Sequence, residues 1–313
     1  CPVEGWITQH VAEELFAPAG TTYADAKRLA ATRDFKPMPL GGTAKLSFDN
    51  TLRRVESRNV IARIDGSDPK LKNEYVVYCA HWDHLGMDPS LPGDKIYNGA
   101  IDNATGAAGL IEIARAYATL AKNGKGAKRS ILFFSPTAEE RGLLGSQYYC
   151  ANPLYPLTKT VGVINMDGLN MAGRTKDFTI IGLGKSTLDD AVIQALKAQG
   201  RTVVGDSEPE KGFYYRSDHF NFAKVGVPSL HTGEGTVYIG KPADFGKNER
   251  DRYTREDYHK PSDEVKPDWD PAGAVEDMQM LFHAGLIVAN AATIPTWTEG
   301  DEFKARRDKM MKP

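Results

Sequence analysis

Hydrophobic positions along the 313-residue chain change their period several times, and each change predicts an element. Residues 58–65 (RNVIARID) and 74–80 (EYVVYCA) are β-branched and aromatic, which predicts strands. From 103 to 122 the apolar residues Ala107, Leu110, Ile111, Ala114, Tyr117, Ala118 and Ala121 recur at a helical period, with Gly124 just past the end. The unbroken apolar run 130–135 (SILFFS) predicts a strand buried on both faces. A short helix over 143–151 follows, then strands at 161–166 (VGVINM) and 178–182 (FTIIG). Next come a helix at 187–198 and strands around 202–204 and at 227–231 (VPSLH). A closing helix over 272–291 carries Val275, Met278, Leu281, Phe282 and Leu286 along one side. Strands alternating with helices predict an α/β fold, a three-layer sandwich with a largely parallel central sheet flanked by helices. Sheets of that kind place their active sites at the carboxyl ends of the strands.

Residues 1–45 have a different texture. Helix-like pieces from Thr8 to Phe16 and from Tyr23 to Thr32 are broken by Pro18, Gly20, Pro37, Pro39 and Gly41-Gly42. They read as a connector or the remnant of an upstream or inserted domain, with the main domain over 46–295. Residues 296–313 are charged and predict a solvated tail or a surface helix. No internal repeat is present, and the start at Cys1 reads as a processed product or a fragment. Lys plus Arg (39) nearly balances Asp plus Glu (41), for a net charge of −2, which argues against a nucleic-acid partner and a polybasic membrane surface. The longest apolar stretch, 284–293 (AGLIVANAAT), is too short to be a transmembrane segment. Cys1, Cys79 and Cys150 form no disulfide ladder, and Cys79 lies in an apolar run where a buried free thiol is expected.

Acidic residues and histidines gather where the predicted strands stop. Strand 74–80 ends in His81-Trp82-Asp83-His84, and IYNGAIDNATG places Asp102 and Asn103 just before the first long helix. Strand 130–135 runs into Glu139-Glu140, strand 161–166 is followed by Asp167, and His259 lies in the polar segment YHKPSDE. Singly, each has a plain structural explanation: Asp102 or Asn103 caps a helix, and Glu139-Glu140 opens one. Together they deliver carboxylate after carboxylate to one edge, where like charges repel unless a cation sits between them. Two histidines with several carboxylates and no thiolate suit zinc, with manganese or cobalt as substitutes. Five candidate ligands exceed what one catalytic zinc takes, so two zinc ions about 3.5–4 Å apart sharing a carboxylate fit better. A spare carboxylate beside a ligand is then the natural general base.

His81-x-Asp83, GAIDNATG, Glu139-Glu140, Asp167 and the late His259 together resemble the co-catalytic zinc aminopeptidase family over residues 50–290. That family includes secreted bacterial leucyl aminopeptidases, plasma glutamate carboxypeptidase and, more distantly, glutaminyl cyclases. The resemblance implies that Asp102 bridges two metals, that His81 and Asp167 complete one site, and that Glu140 and His259 complete the other. It further implies Glu139 as general base, Asp83 as the group that orients His81, and Tyr214 (or Tyr215) in YYRSDHF as donor to the oxyanion. The implied activity is that of an exopeptidase, an aminopeptidase or dipeptidase acting on peptide or dipeptide substrates, in a periplasmic or secreted location. The alternatives on the same scaffold are a single-zinc glutaminyl cyclase and a non-catalytic ectodomain, which the full ligand set disfavours.

Other candidates stay outside this set. His84 reads as a structural hydrogen bonder, His219 and His231 remain open, and His10 and His283 read as structural. Ser217, Asp218 and His219 are adjacent in sequence, an arrangement that rarely makes a triad, and no GxSxG elbow is present. Trp82, Phe213, Tyr214, Tyr215, Phe220 and Phe222 offer either an apolar substrate pocket or plain packing. Arg216 and Lys260 are the cations a carboxypeptidase would need, so the sequence leaves open which peptide end is read.

Overall fold

The computed structural model describes residues 5–312, and two compact units divide the chain between Val55 and Glu56. In the first, helices α1 (Gln9–Phe16) and α2 (Tyr23–Ala30) are each opened by a threonine. Thr8 Oγ1 accepts from the Val11 amide at 3.3 Å and Thr22 Oγ1 from the Asp25 amide at 3.0 Å, satisfying donors that a helix start leaves free.

The second unit runs β1 (Val60–Ile64), β2 (Tyr75–Cys79), β3 (Gly86–Met87), β4 (Ile96–Tyr97), α3 (Gly106–Lys122), β5 (Ser130–Ser135), α4 (Leu144–Ala151) and β6 (Thr160–Asn165). It continues through β7 (Asp177–Ile181), α5 (Leu188–Ala198), β8 (Thr202–Gly205), α6 (His219–Lys224) and β9 (Ser229–Gly233) to α7 (Phe245–Glu256), α8 (Ala272–Asn290) and α9 (Lys304–Met310). Seven strands form one sheet in the order β1-β5-β2-β6-β9-β7-β8, and β3 pairs with β4 in a separate ribbon. Four of its six pairings are parallel; β1 against β5 and β7 against β9 are antiparallel.

Alternation along the central strands builds a core on each face of the sheet. Val76 and Tyr78 of β2 join Ile131, Phe133 and Ile164 under α3, α5 and α8. Tyr75, Val77 and Cys79 face the other way, with Leu132, Phe134 and Val163, under α4 and α6. Burial on both faces explains why SILFFS carries no polar interruption. Cys79 and Cys150 are free and buried, while Cys1 lies outside the described residues. No helix among the described residues is long and apolar enough to cross a membrane.

The short strands β3 and β4 and helix α6 lay outside the periodicity reading, and three further elements depart from it or sharpen it for a local reason. Helix α3 becomes regular only at Gly106, because Asn103 and the turn before it are held by side-chain bonds rather than helical ones. Helix α7 (FGKNERDRYTRE) was not anticipated, since it has no buried residue and therefore no apolar stripe to read. Of the two forms expected for the charged last residues, the helix is the one formed, as α9, docked through buried Arg307, whose guanidinium donates to the Leu157 and Thr160 carbonyls at 3.1 and 3.0 Å.

Helix α8 meets the sheet at Gly285, where a β-carbon would lie 1.8 Å from the Tyr78 hydroxyl. That hydroxyl donates to the Leu281 carbonyl at 2.8 Å and cannot retreat without losing the bond. Gly285→Ala should therefore destabilise the protein by about 1–3 kcal/mol, the usual cost of overpacking. The check is a lower urea midpoint at unchanged slope.

Candidate metal centre

Strands β5, β2, β6 and β9 are adjacent and parallel, so their carboxyl ends open on one edge. There β2 delivers His81, β5 delivers Glu139 and Glu140, and β6 delivers Asp167. Asp102 arrives on the turn before α3 and His259 on the loop after α7. The two oxygens of Asp102 face different histidines: Oδ1 lies 3.2 Å from His81 Nε2, and Oδ2 lies 3.3 Å from His259 Nε2. A second carboxylate completes each side. Asp167 Oδ1 is 3.1 Å from His81 Nε2, and Glu140 Oε2 is 3.0 Å from His259 Nε2. Glu139 Oε2 stands slightly back, 4.0 Å from His81 Nε2.

The backbone around these side chains is held by hydrogen bonds. Asn103 Oδ1 accepts from the Gly106 and Gly168 amides at 3.1 and 2.9 Å, and its Nδ2 donates to the Met166 carbonyl at 3.0 Å. It thus caps α3 and ties the Asp102 turn to the end of β6. The turn into Glu139 passes through Ala138 at φ 55°, and the Glu139 amide then donates to Asp83 Oδ1 at 3.1 Å. Asp263, which the sequence reading did not single out, accepts from the Ile101 and Asp102 amides at 3.0 and 3.1 Å. Its own carbonyl accepts from the Ala100 amide at 3.0 Å, so the His259 loop and the Asp102 turn are stitched together.

Charge dominates the site. Among the described residues, Asp83, Asp102, Glu139, Glu140 and Asp167 pair only with histidines, never with lysine or arginine. Burial, and then the Asp167 charge, push the Glu139 carboxyl up to about 10. Burial opposes charging His81, yet the Asp167 charge and the bonds to Asp102 and Asp167 outweigh it and raise its pKa. Hydrogen bonds to Asp102 and Glu140 raise His259 to about 9. For Glu140, burial is outweighed by the bonds from His259 and His84, which hold its carboxyl down at about 2.

The donor set fits divalent metal. His81 Nδ1 lies 3.0 Å from the Asp83 carbonyl, which can only accept, so Nδ1 carries a proton. In the neutral ring, Nε2 then presents a lone pair to the oxygens of Asp102 and Asp167, a clash that only a cation or a proton between them relieves. Donors spaced at 3.0–3.3 Å match the roughly 3.3 Å expected between ligands of a tetrahedral ion with bonds near 2.0–2.1 Å.

Two expected residues sit differently. The His81 ring is oriented by the Asp83 main-chain carbonyl, whereas the Asp83 carboxylate lies 3.8 Å from Nδ1 and serves the Glu139 amide. Tyr214 is buried against Phe303 and Trp297, and its hydroxyl donates to the Ser229 carbonyl at 3.4 Å. Tyr215 donates to Glu302 at 2.8 Å, so neither hydroxyl bonds to the acid–histidine cluster. Ser217, Asp218 and His219 form no triad: Ser217 Oγ donates to Asp167 Oδ2 at 2.6 Å, and both His219 nitrogens lack partners. Of the proposed pocket aromatics, Phe222 is fully buried core, while Trp82 is half exposed. A phenol the sequence reading passed over stands at the site. Tyr258, 43% exposed, stacks on His259 at 3.9 Å, and partial burial of its hydroxyl together with the charges of Asp102, Glu140, Asp167 and Glu139 raises its pKa, so it keeps its proton. Its position beside His259 was the available signal.

Fold and donor set define the class, an α/β protein with a candidate acid–histidine metal centre at the ends of parallel strands. A sequence profile of Peptidase family M28 matches residues 59–282, and the chain belongs to that family. Aminopeptidase NAALADL1 of Mus musculus is 37% identical over 132 residues, which are 41% of this chain and 16% of that protein. A probable glutamate carboxypeptidase, AMP1 of Arabidopsis thaliana, is 25% identical over 297 residues, 85% of this chain and 36% of that protein. The chain thus spans well under two thirds of these curated relatives. BSAP, a zinc aminopeptidase from Bacillus subtilis, shares the fold with a TM-score of 0.53 at 20% identity, over 79% of this chain and 52% of that one.

Asp263 tests the geometry that presents Asp102. Asp263→Ala strands one buried and one part-buried amide and should cost about 1–3 kcal/mol. It should also speed hydrogen exchange at Ile101 and Asp102 while exchange in β2 and β5 stays slow; unchanged exchange at both amides would refute the clamp.

Proposed function

We propose that the chain carries the catalytic centre of a metal-dependent exopeptidase that hydrolyses the terminal bond of peptides or dipeptides with two divalent ions, zinc foremost. One observation carries the reading: Asp102 turns one oxygen to each of two histidines, and each histidine is joined by a further carboxylate. His81, Asp167 and one Asp102 oxygen would hold one ion; Glu140, His259 and the other Asp102 oxygen would hold the second. Such a pair, when bound, lowers the pKa of water to about 7 and polarises a carbonyl.

The protein's own groups do the rest. Glu139, buried beside His81 and Asp167, accepts the proton of the attacking water as its carboxylate and passes it to the leaving amine. The water oxygen bonds to the carbonyl carbon, the C–N bond breaks, and the amine leaves protonated. Tyr258, still protonated, donates to the oxyanion that develops at the carbonyl oxygen. An exported location, periplasmic or secreted, goes with this reading.

The test begins with zinc per chain after exhaustive dialysis at neutral pH, where close to two is expected. Aminoacyl arylamides and dipeptides, compared with their N-acetylated forms, then report which peptide end is read. Glu139→Gln should keep both ions and lose about 10²–10⁴-fold in turnover. Tyr258→Phe should lower kcat by roughly 10²-fold or more with little change in KM. Retained turnover in Glu139→Gln would remove the assigned base. One ion together with cyclisation of N-terminal glutamine would replace the peptidase with a cyclase.

A further inference from the structure

We infer that His84 is a positioning residue for the second metal site: its ring commits one oxygen of Glu140 and leaves the other alone to bind. The inference rests on the dinuclear reading above and goes beyond it: His84 lies close enough to Asp102 and Glu140 to share a metal with them, yet its Nδ1 is already committed to Glu140. His84 Nδ1 lies 2.6 Å from Glu140 Oε1, within a pair whose side chains are 7% and 4% exposed. An ionised carboxylate only accepts, so Nδ1 donates. Glu140 Oε2, the oxygen left over, is the one that faces His259 Nε2 at 3.0 Å.

Packing holds the His84 ring in place. Gly99 lies against it so closely that a β-carbon there would sit 2.6 Å from His84 Cγ, and the ring meets the His259 ring edge-on at 5.7 Å. His84 Nε2 is buried with no partner, so Glu140 is the ring's one hydrogen-bond partner among the described residues. A glutamate with both oxygens free can chelate one ion through both or swing between geometries. With Oε1 held, Glu140 presents a single donor at a fixed angle, on the same side as His259 and the Asp102 oxygen. Outer hydrogen bonds of this kind typically change metal affinity by about 10–100-fold.

The experiment is a calorimetric titration of the metal-free protein with Zn²⁺ against a competing chelator, for wild type, His84→Leu and His84→Asn. Wild type should show two binding steps. His84→Leu should weaken one step about 10–100-fold and leave the other unchanged. His84→Asn, whose amide nitrogen replaces ring Nδ1, should recover most of the loss. Wild-type affinity at both steps in His84→Leu would overturn the inference while leaving the dinuclear reading intact. Equal weakening of both steps in both variants would also overturn it, by marking a general packing defect. Fewer than two ions on the wild type would overturn the dinuclear reading and this inference together.

Discussion

Carboxylates crowded into a space that water barely enters repel one another, and the ends of the parallel strands are organised around that repulsion. Asp102 stands at its middle, buried, with an imidazole on each oxygen. Around it the main chain is pinned at nearly every turn: by Asn103 toward β6, by Asp263 toward the His259 loop, and by Asp83 toward Glu139. The apolar cores on the two faces of the sheet supply the rigidity that lets such an arrangement persist, since each large side chain fully buried there contributes about 1.5–3 kcal/mol.

Two acidic residues adjacent in sequence illustrate how environment separates roles. Glu139 and Glu140 leave the same strand, yet burial drives one toward the protonated form while His259 and His84 hold the other firmly ionised. Glu139 is thus the carboxyl whose proton state depends on the charges beside it, and Glu140 is the stable anion suited to holding a cation. Nothing in the dipeptide Glu-Glu encodes that division; it comes from which neighbours each side chain meets.

The centre of the sheet was legible because strands such as β2, β5 and β6 are buried on both faces and carry unbroken apolar runs, as SILFFS does. The chemistry-bearing positions were legible for a related reason: polar residues that interrupt such runs fall at strand ends. Helix α7 escaped because a helix without a buried face has no hydrophobic period to detect. Tyr214 and Tyr258 show the limit more sharply. Both are tyrosines beside plausible site residues, and only packing distinguishes them: one ring is enclosed by Trp297 and Phe303, the other stacks on His259. Asp83 was expected to bond the far nitrogen of His81, and whether its carboxylate or its carbonyl meets the ring depends on main-chain geometry that side-chain spacing does not carry.

The stitch between Asp263 and the Asp102 turn joins amides to a carboxylate 161 positions along the chain. Loop-closure entropy grows only with the logarithm of length, about 0.6 kcal/mol for each doubling, so so distant a contact costs little more than a nearer one. Its consequence is kinetic: a contact of such high sequence separation forms slowly relative to local helices and turns. His81 and Asp167, brought together by the adjacent strands β2 and β6, need a closure about half as long. The two halves of the centre therefore differ in contact order, and the half containing His259 needs the far part of the chain in place before its ligands can meet.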